Sequence, residues 1–136
     1  DITVAEQTPG AVPVVSSGGI SSFHSESMCS GPGVVTGRKG TIGKVFYIED
    51  DYWPHDTTLY VSDFKGNDPY FVRIFLEFLD LTRFERSTAN PTLNRNDVHP
   101  TWATFPPHDE QLVIVEIIQS TGSIADINTI NILLNH

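Results

Sequence analysis

From Val12 to Val61 the apolar positions fall in short β-branched runs separated by glycine turns, the pattern of small strands rather than helices. Val12 to Val15 reads as a first strand, Ser16-Ser17-Gly18-Gly19 as a turn, and Ile20 to Phe23 as a second short strand. After Gly31-Pro32-Gly33, the run Val34-Val35-Thr36 leads through Gly37 to Gly43 into Lys44-Val45-Phe46-Tyr47-Ile48. This spacing predicts a hairpin with a glycine-rich turn. Thr57 to Val61 continues the β pattern beyond the aromatic loop Asp51-Tyr52-Trp53-Pro54-His55.

At Pro69 the period changes. Phe71, Ile74, Phe75, Phe78, Leu79 and Leu81 recur at helical spacing, and Asp68-Pro69 supplies a cap followed by a first-turn proline, which predicts a helix from Pro69 to Phe84. Ser87 to Pro100 reads as a polar loop, and Thr101 to Phe105 as a strand stopped by Pro106-Pro107. Asp109 to Gln119 is helical again, with Leu112, Val115 and Ile118 on one face. Gly122 is expected to end it, and Ile124 to Leu134 to form one more apolar helix. The expected architecture is α+β: a single mixed α/β domain with a β-rich front, one central helix and C-terminal helices.

Composition fits that size. The chain has 136 residues, 39% of them hydrophobic, enough for one compact core. It contains no run of about 18 apolar residues and opens with no basic, then apolar, leader, so the expected class is soluble, with no membrane partner. Cys29, the single cysteine, cannot close an internal disulfide and has no basic neighbour to activate it, which makes it structural or incidental and suggests a reducing, cytoplasmic setting. No Cys/His cluster has zinc-ligand spacing.

The formal net charge is -9, which as a total disfavours a polyanionic partner. Distribution changes the picture: Arg38, Lys39 and Lys44 are three of the eight basic residues and lie in one seven-residue stretch, while Glu49, Asp50, Asp51, Asp56, Asp63 and Asp68 form an acidic tract. The basic stretch Gly37-Arg38-Lys39-Gly40-Thr41-Ile42-Gly43-Lys44 is no phosphate-binding P-loop. Arg38 stands where the motif needs glycine, Val45 follows the lysine where it needs Ser or Thr, and a strand rather than a helix comes next. What remains is either a tight basic hairpin that approaches another surface or an ordinary solvated turn. Asp50, Asp51 and Asp56 do not have the spacing of an EF-hand, and His55-Asp56 has no serine or cysteine nucleophile in a motif beside it. Trp53 before Pro54 suits a core or loop anchor better than a platform for an extruded base.

Taken in order, Pro13-Val14-Val15, Gly18-Gly19-Ile20, Gly31-Pro32-Gly33-Val34-Val35, Gly37 to Val45 and Tyr52-Trp53-Pro54-His55-Asp56-Thr57-Thr58 resemble the target recognition domain of type I restriction-modification specificity subunits. Pro91-Thr92-Leu93-Asn94-Arg95-Asn96-Asp97 and Phe105-Pro106-Pro107-His108-Asp109-Glu110-Gln111 resemble that family's closing segments, so the likeness runs from about Val12 to Gln111. The resemblance implies a non-catalytic module that reads double-stranded DNA. It implies no cofactor and no metal of its own, because methyltransferase subunits carry the chemistry and bind S-adenosylmethionine. After Gln111 the family pattern leads into a long coiled-coil spacer helix, whereas here the heptads are not sustained. The expected division is a recognition domain over 1–111 and a short helical spacer remnant over 112–136.

Groove reading needs Arg or Lys for guanine and Asn or Gln for adenine. One loop offers Arg38, Lys39, Thr41 and Lys44, and a second offers Asn94, Arg95 and Asn96 together with Asn90 and Thr92. Both segments recur across the resembling family, which suits backbone positioning. Base contacts are then expected from Ser16 to Ser30 and Phe84 to Asn90, through His24, Ser25, Arg86, Ser87 and Thr88. Expected partners are double-stranded DNA, a methyltransferase subunit and, through Ile114, Ile117, Ile118, Ile124, Ile127, Ile130, Leu133 and Leu134, a second copy of the chain. Two other readings stand beside DNA recognition: a degenerate domain that docks only onto protein, and a hydrolase using His55 or His99.

Overall fold

A computed structural model describes residues 2–86, 89–101 and 103–121. The expected mixture of strands and helices is present, and it is organised around two small sheets. β1 (Val12–Ser16) and β2 (Gly19–His24) form an antiparallel hairpin with an irregularity between Val14 and Val15, and β5 (Trp53–Pro54) runs parallel to β1 on its other edge. The second sheet has the order β4-β3-β6, with β3 (Gly33–Gly37) paired antiparallel to both β4 (Val45–Ile48) and β6 (Thr58–Tyr60).

Every residue of β3 is buried, which a strand covered on both faces requires. Successive side chains alternate, so Val35 joins Val15, Ile48 and Tyr52 between the two sheets, while Val34 joins Val45, Leu81 and Leu93 on the helical side. Gly33 opens the strand beside the Tyr52 ring. A Cβ there would lie 2.2 Å from that ring, so only glycine lets the tyrosine close over the strand. Cys29 pairs with Tyr52 through reciprocal backbone hydrogen bonds and packs on the same cluster, as a structural residue would.

Helix α1 (Pro69–Leu79) starts as expected, with the Asp68 carboxylate accepting from the Phe71 N–H at 3.0 Å and Pro69 in the first turn. It stops five residues earlier than its apolar pattern suggests. Asp80 takes a left-handed conformation (φ 57°), its carboxylate accepts from the Thr82 N–H, and the chain re-enters as a short 3-10 turn, Leu81–Phe84, that drives Leu81 into the core. Apolar periodicity runs through this break because both pieces pack on the same cluster.

The other departures follow from prolines and from one glutamine. Trp53–Pro54, expected as loop, is a strand edge, and Trp53 packs edge-on against His24 at 5.5 Å, the anchoring role expected of it. The segment 101–105 forms no strand among its described residues. Pro106 and Pro107 cannot donate to a ladder, and Phe105 instead packs edge-on against Phe71 and Phe75 at 5.3 and 4.8 Å. Part of the expected polar loop is a one-turn helix, α2 (Arg95–Val98). Helix α3 (His108–Thr121) buries Gln111, Ile114, Val115 and Ile118 and leaves Leu112 46% exposed, so Val115 and Ile118 of the expected face lie inward while Leu112 does not. Gln111, 1% exposed, sets that rotation. Its carbonyl accepts from the Asp68 N–H at 2.8 Å, and its amide donates to Asn67 Oδ1 at 2.8 Å and to the Pro106 carbonyl at 2.9 Å. Ile114 and Ile118 are consequently spent on α1 within the domain. The expected helix stop at Gly122 and the apolar helix over 124–134 lie outside the described residues.

Replacing Gln111 by Ala removes three hydrogen bonds, two of which join α3 to the start of α1. The expected cost is about 2–4 kcal/mol in urea unfolding, because Asp68 and Asn67 lose partners in a buried setting. Burial also pushes the Tyr52 phenol well above its ordinary value, with the neighbouring Cys29 adding to the shift. The folded chain therefore favours the protonated phenol. That contribution is complete below pH 10.0, the ordinary tyrosine value, and fades as pH rises beyond it. Unfolding curves collected across alkaline pH should show stability falling, and Tyr52→Phe should make the fall shallower.

Candidate functional site

The glycine-rich turn and the segment after Asn90 are joined through their backbones. Past the end of β3, the Arg38 and Lys39 N–H groups both donate to the Thr57 carbonyl, at 2.8 and 3.3 Å. The Arg38 carbonyl accepts from Leu93 at 2.7 Å, the Gly40 N–H donates to the Pro91 carbonyl at 3.1 Å, and Lys39 bridges Thr92. Arg86 closes the network by donating its N–H to the Thr92 carbonyl at 3.2 Å. Gly40 and Gly43 hold φ of 85° and 99°, left-handed values that let the turn fold back over this junction.

Helix α2 sits on that junction. Leu93, 4% exposed, locks the segment into the core beside Val34, Val45 and Leu81, and Val98 packs on the same cluster from the helix's far end. The Asn94 side-chain oxygen accepts from the Asn96 N–H at 2.9 Å and caps the helix. Asp97 takes both halves of the Arg86 guanidinium, with Nε at 2.6 Å and Nη2 on the other carboxylate oxygen. This bidentate pair raises the Arg86 pKa further, so the guanidinium stays charged. Arg38 is oriented in the same manner, its Nε donating to the Asp56 carbonyl at 2.7 Å.

Between these pieces lies a cleft of about 380 Å³ lined by Arg38, Lys39, Arg86, Asn94, Arg95 and Asn96, among others. Four of the chain's eight lysines and arginines meet there, and no carboxylate lines it among the described residues. Lys65 and Arg73 are paired with Asp63 and Glu77, and within the cleft Arg86 is paired with Asp97. The cleft shares Arg38, Leu59, Leu93, Arg95 and Asn96 with a wider groove of about 1020 Å³, whose walls include Trp53, Tyr60, Leu76 and His99.

Six of the nine DNA-contact candidates named from the sequence are thus brought together: Arg38, Lys39, Arg86, Asn94, Arg95 and Asn96. Thr41, Lys44 and His24 are not among the lining residues. Lys44 is exposed while its carbonyl accepts from Thr36 Oγ1 at 2.9 Å; His24 is 4% exposed, accepts from the Thr8 N–H at 2.9 Å, and meets Trp53 edge-on. Leu93 and Asp97, which hold the site, are missed by the polar-loop reading; the signal that could have found them is Asn94-Arg95-Asn96-Asp97, a capping side chain before an acidic first turn.

The remaining chemical candidates resolve into local braces. His55 Nδ1 lies 2.9 Å from Asp56 and 3.0 Å from Thr57 Oγ1, within a turn in which Thr58 Oγ1 donates to the His55 carbonyl at 2.6 Å. Asp51 accepts from the Gly31 N–H at 3.0 Å. Among the described residues no three His, Cys, Asp or Glu side chains gather as metal ligands, and no helix is long and apolar enough to cross a membrane. Leu93→Ala should lower stability by about 2–5 kcal/mol, through the cavity it leaves under the junction. Hydrogen exchange is the sharper readout, since protection at Leu93 and His99, both donors in this region, should fall further than protection in β3.

Comparison with known proteins bears on the family and the fold. The family model described as the type I restriction modification DNA specificity domain matches residues 5–135, beyond both ends of the likeness seen in the motifs. A crystal structure of the type I restriction-modification system S subunit from M. genitalium superposes with a TM-score of 0.74 at 13% identity, covering 88% of this chain and 34% of that one. The chain therefore spans about a third of the length of that subunit and shares its fold. No curated protein matches.

Proposed function

Because this chain belongs to the family of type I restriction-modification DNA specificity domains, we propose that it reads a short double-stranded DNA sequence at the cationic cleft and carries out no chemistry itself. The observation that carries this reading is the convergence of Arg38, Lys39, Arg86 and Arg95, from three separated stretches of chain, around one cleft that no carboxylate lines among the described residues, in a molecule of net charge -9. Cations gathered against the overall charge are the footprint of a polyanion site, since phosphate contacts supply most non-specific affinity and fix register on the duplex. The backbone junction keeps the two loops at a constant spacing, so the duplex meets a preformed surface.

In this reading the chemistry belongs to a methyltransferase subunit of the same cytoplasmic complex, and the chain supplies only the address. A second reading, a module that docks onto protein and no longer binds DNA, is favoured by the exposed apolar side chains Ile20 and Phe23 on β2.

Selection from a random duplex library at two salt concentrations separates the two. DNA recognition predicts an enriched motif of a few base pairs, with affinity falling steeply as salt rises. Arg38→Glu with Lys39→Glu should abolish that binding while leaving the fold intact by circular dichroism. A wild-type chain that enriches nothing and binds no duplex at low salt would establish the docking module instead.

A further inference from the structure

Resting on the DNA-recognition reading, we propose that Arg95 and Asn96 are the residues that read bases, Arg95 a guanine and Asn96 an adenine, while the other polar groups of the cleft hold position. The division follows from which side chains are already committed. Arg86 gives the Nε and Nη2 edge of its guanidinium to Asp97, and so fixes α2. Asn94 uses its oxygen to cap that helix. Arg38 has its Nε on the Asp56 carbonyl, and its backbone lies inside the junction. Lys39 is a compact charge on a flexible stem, suited to a phosphate and poorly suited to discriminating a base edge.

Arg95 and Asn96 differ from all of these. Both are exposed, both line the cationic cleft and the wider groove, and among the described residues no hydrogen bond or ion pair engages either side chain. The backbone beneath them is among the most constrained at the site. It is held by the Asn94 cap, by the Asp97–Arg86 pair, by Leu93 and Val98 in the core, and by the His99 N–H on the Arg95 carbonyl at 2.9 Å. Unengaged donor–acceptor groups on a fixed turn are what base readout demands, because discrimination comes from a fork or carboxamide held in one place against the groove edge. The guanidinium fork matches guanine O6 and N7, and the carboxamide matches adenine N6 and N7. Successive helical positions point about 100° apart, so the pair addresses two bases, not one.

The proposal reverses the expectation that the segment after Asn90 positions the backbone and that bases are read from Ser16 to Ser30 and Phe84 to Asn90. It is tested with the full chain in the same duplex selection, comparing wild type with Arg95→Lys, Asn96→Ala and Arg38→Ala. Arg95→Lys keeps the charge but loses the fork. It should relax one guanine position and weaken the preferred duplex by about 5- to 150-fold, with scrambled duplex bound as by wild type. Asn96→Ala should relax one adenine position in the same manner, while Arg38→Ala should weaken all duplexes alike and flatten the salt dependence. If wild type enriches a motif that both α2 variants retain at every position, base reading by these residues is overturned and DNA recognition stands. If wild type enriches nothing, both fall together. Circular dichroism and urea curves matching wild type confirm that each variant is folded, as expected for exposed positions.

Discussion

The burial of β3 on both faces is the constraint from which the rest of the molecule is arranged. A strand with Val35 against one sheet and Val34 against the helical side leaves little freedom in register, because a slip by one residue would exchange the two cores. It also fixes where Arg38 and Lys39 emerge, since they follow its last residue directly and are held by the Thr57 carbonyl just before β6 begins. The position of the cationic cleft is therefore a consequence of core packing rather than of the turn's own preferences. Leu93 extends the same logic to the second loop. It is buried in the cluster that Val34 helps to form, so both walls of the cleft rest on one strand.

Charge resolves differently in space than along the chain. Net charge alone argues against a nucleic-acid surface, and the acidic tract between Glu49 and Asp68 reinforces that impression. Folding gathers four cations at one cleft, although Asp56 and Asp63 line the adjoining wider groove. Asp97 is absorbed by Arg86, Asp63 and Glu77 pair with Lys65 and Arg73, and Asp68 caps α1, whereas Arg38, Lys39 and Arg95 face a cleft that no carboxylate lines among the described residues. Carboxylates elsewhere then disfavour other docking modes for a polyanion, which sharpens orientation more than it costs affinity.

How much of this was legible follows from the range of the interactions concerned. The strands of the first half and the starts of α1 and α3 were readable, because β-branched runs, a capping aspartate and a first-turn proline act within a few residues. What the local pattern missed depended on distant partners. The left-handed Asp80 breaks an apolar period that continues through Leu81, β5 exists because β1 lies beside it, and the inner face of α3 is chosen by Gln111 bonding to residues more than forty positions away. The site was half legible. Both loops stood out by composition, and Arg38, Lys39, Asn94, Arg95 and Asn96 come together around one cleft. That the loops touch could not be read, since nothing in Gly37 to Lys44 announces Pro91 as a backbone partner. Nor was burial of His24 visible, because a histidine in an alternating strand reads the same whether it faces solvent or a tryptophan.

The contrast between the two loops explains why a one-turn helix is placed where a loop would have sufficed. A glycine-rich turn can approach a duplex closely, but Gly40 and Gly43 give it no side chains of its own at two positions, and its lysines are flexible. It suits contacts that need charge and tolerate imprecision. Discrimination between bases needs the opposite, a short stiff platform whose side chains remain uncommitted. α2 meets that requirement through external anchors instead of length, because four residues are too few to be a stable helix in isolation. Its cap, its ion pair and the two core residues at its ends supply the rigidity that helix propagation cannot. Changing Arg95 or Asn96 leaves every one of those anchors in place. On the proposed reading, what is read can change while the platform that reads it does not.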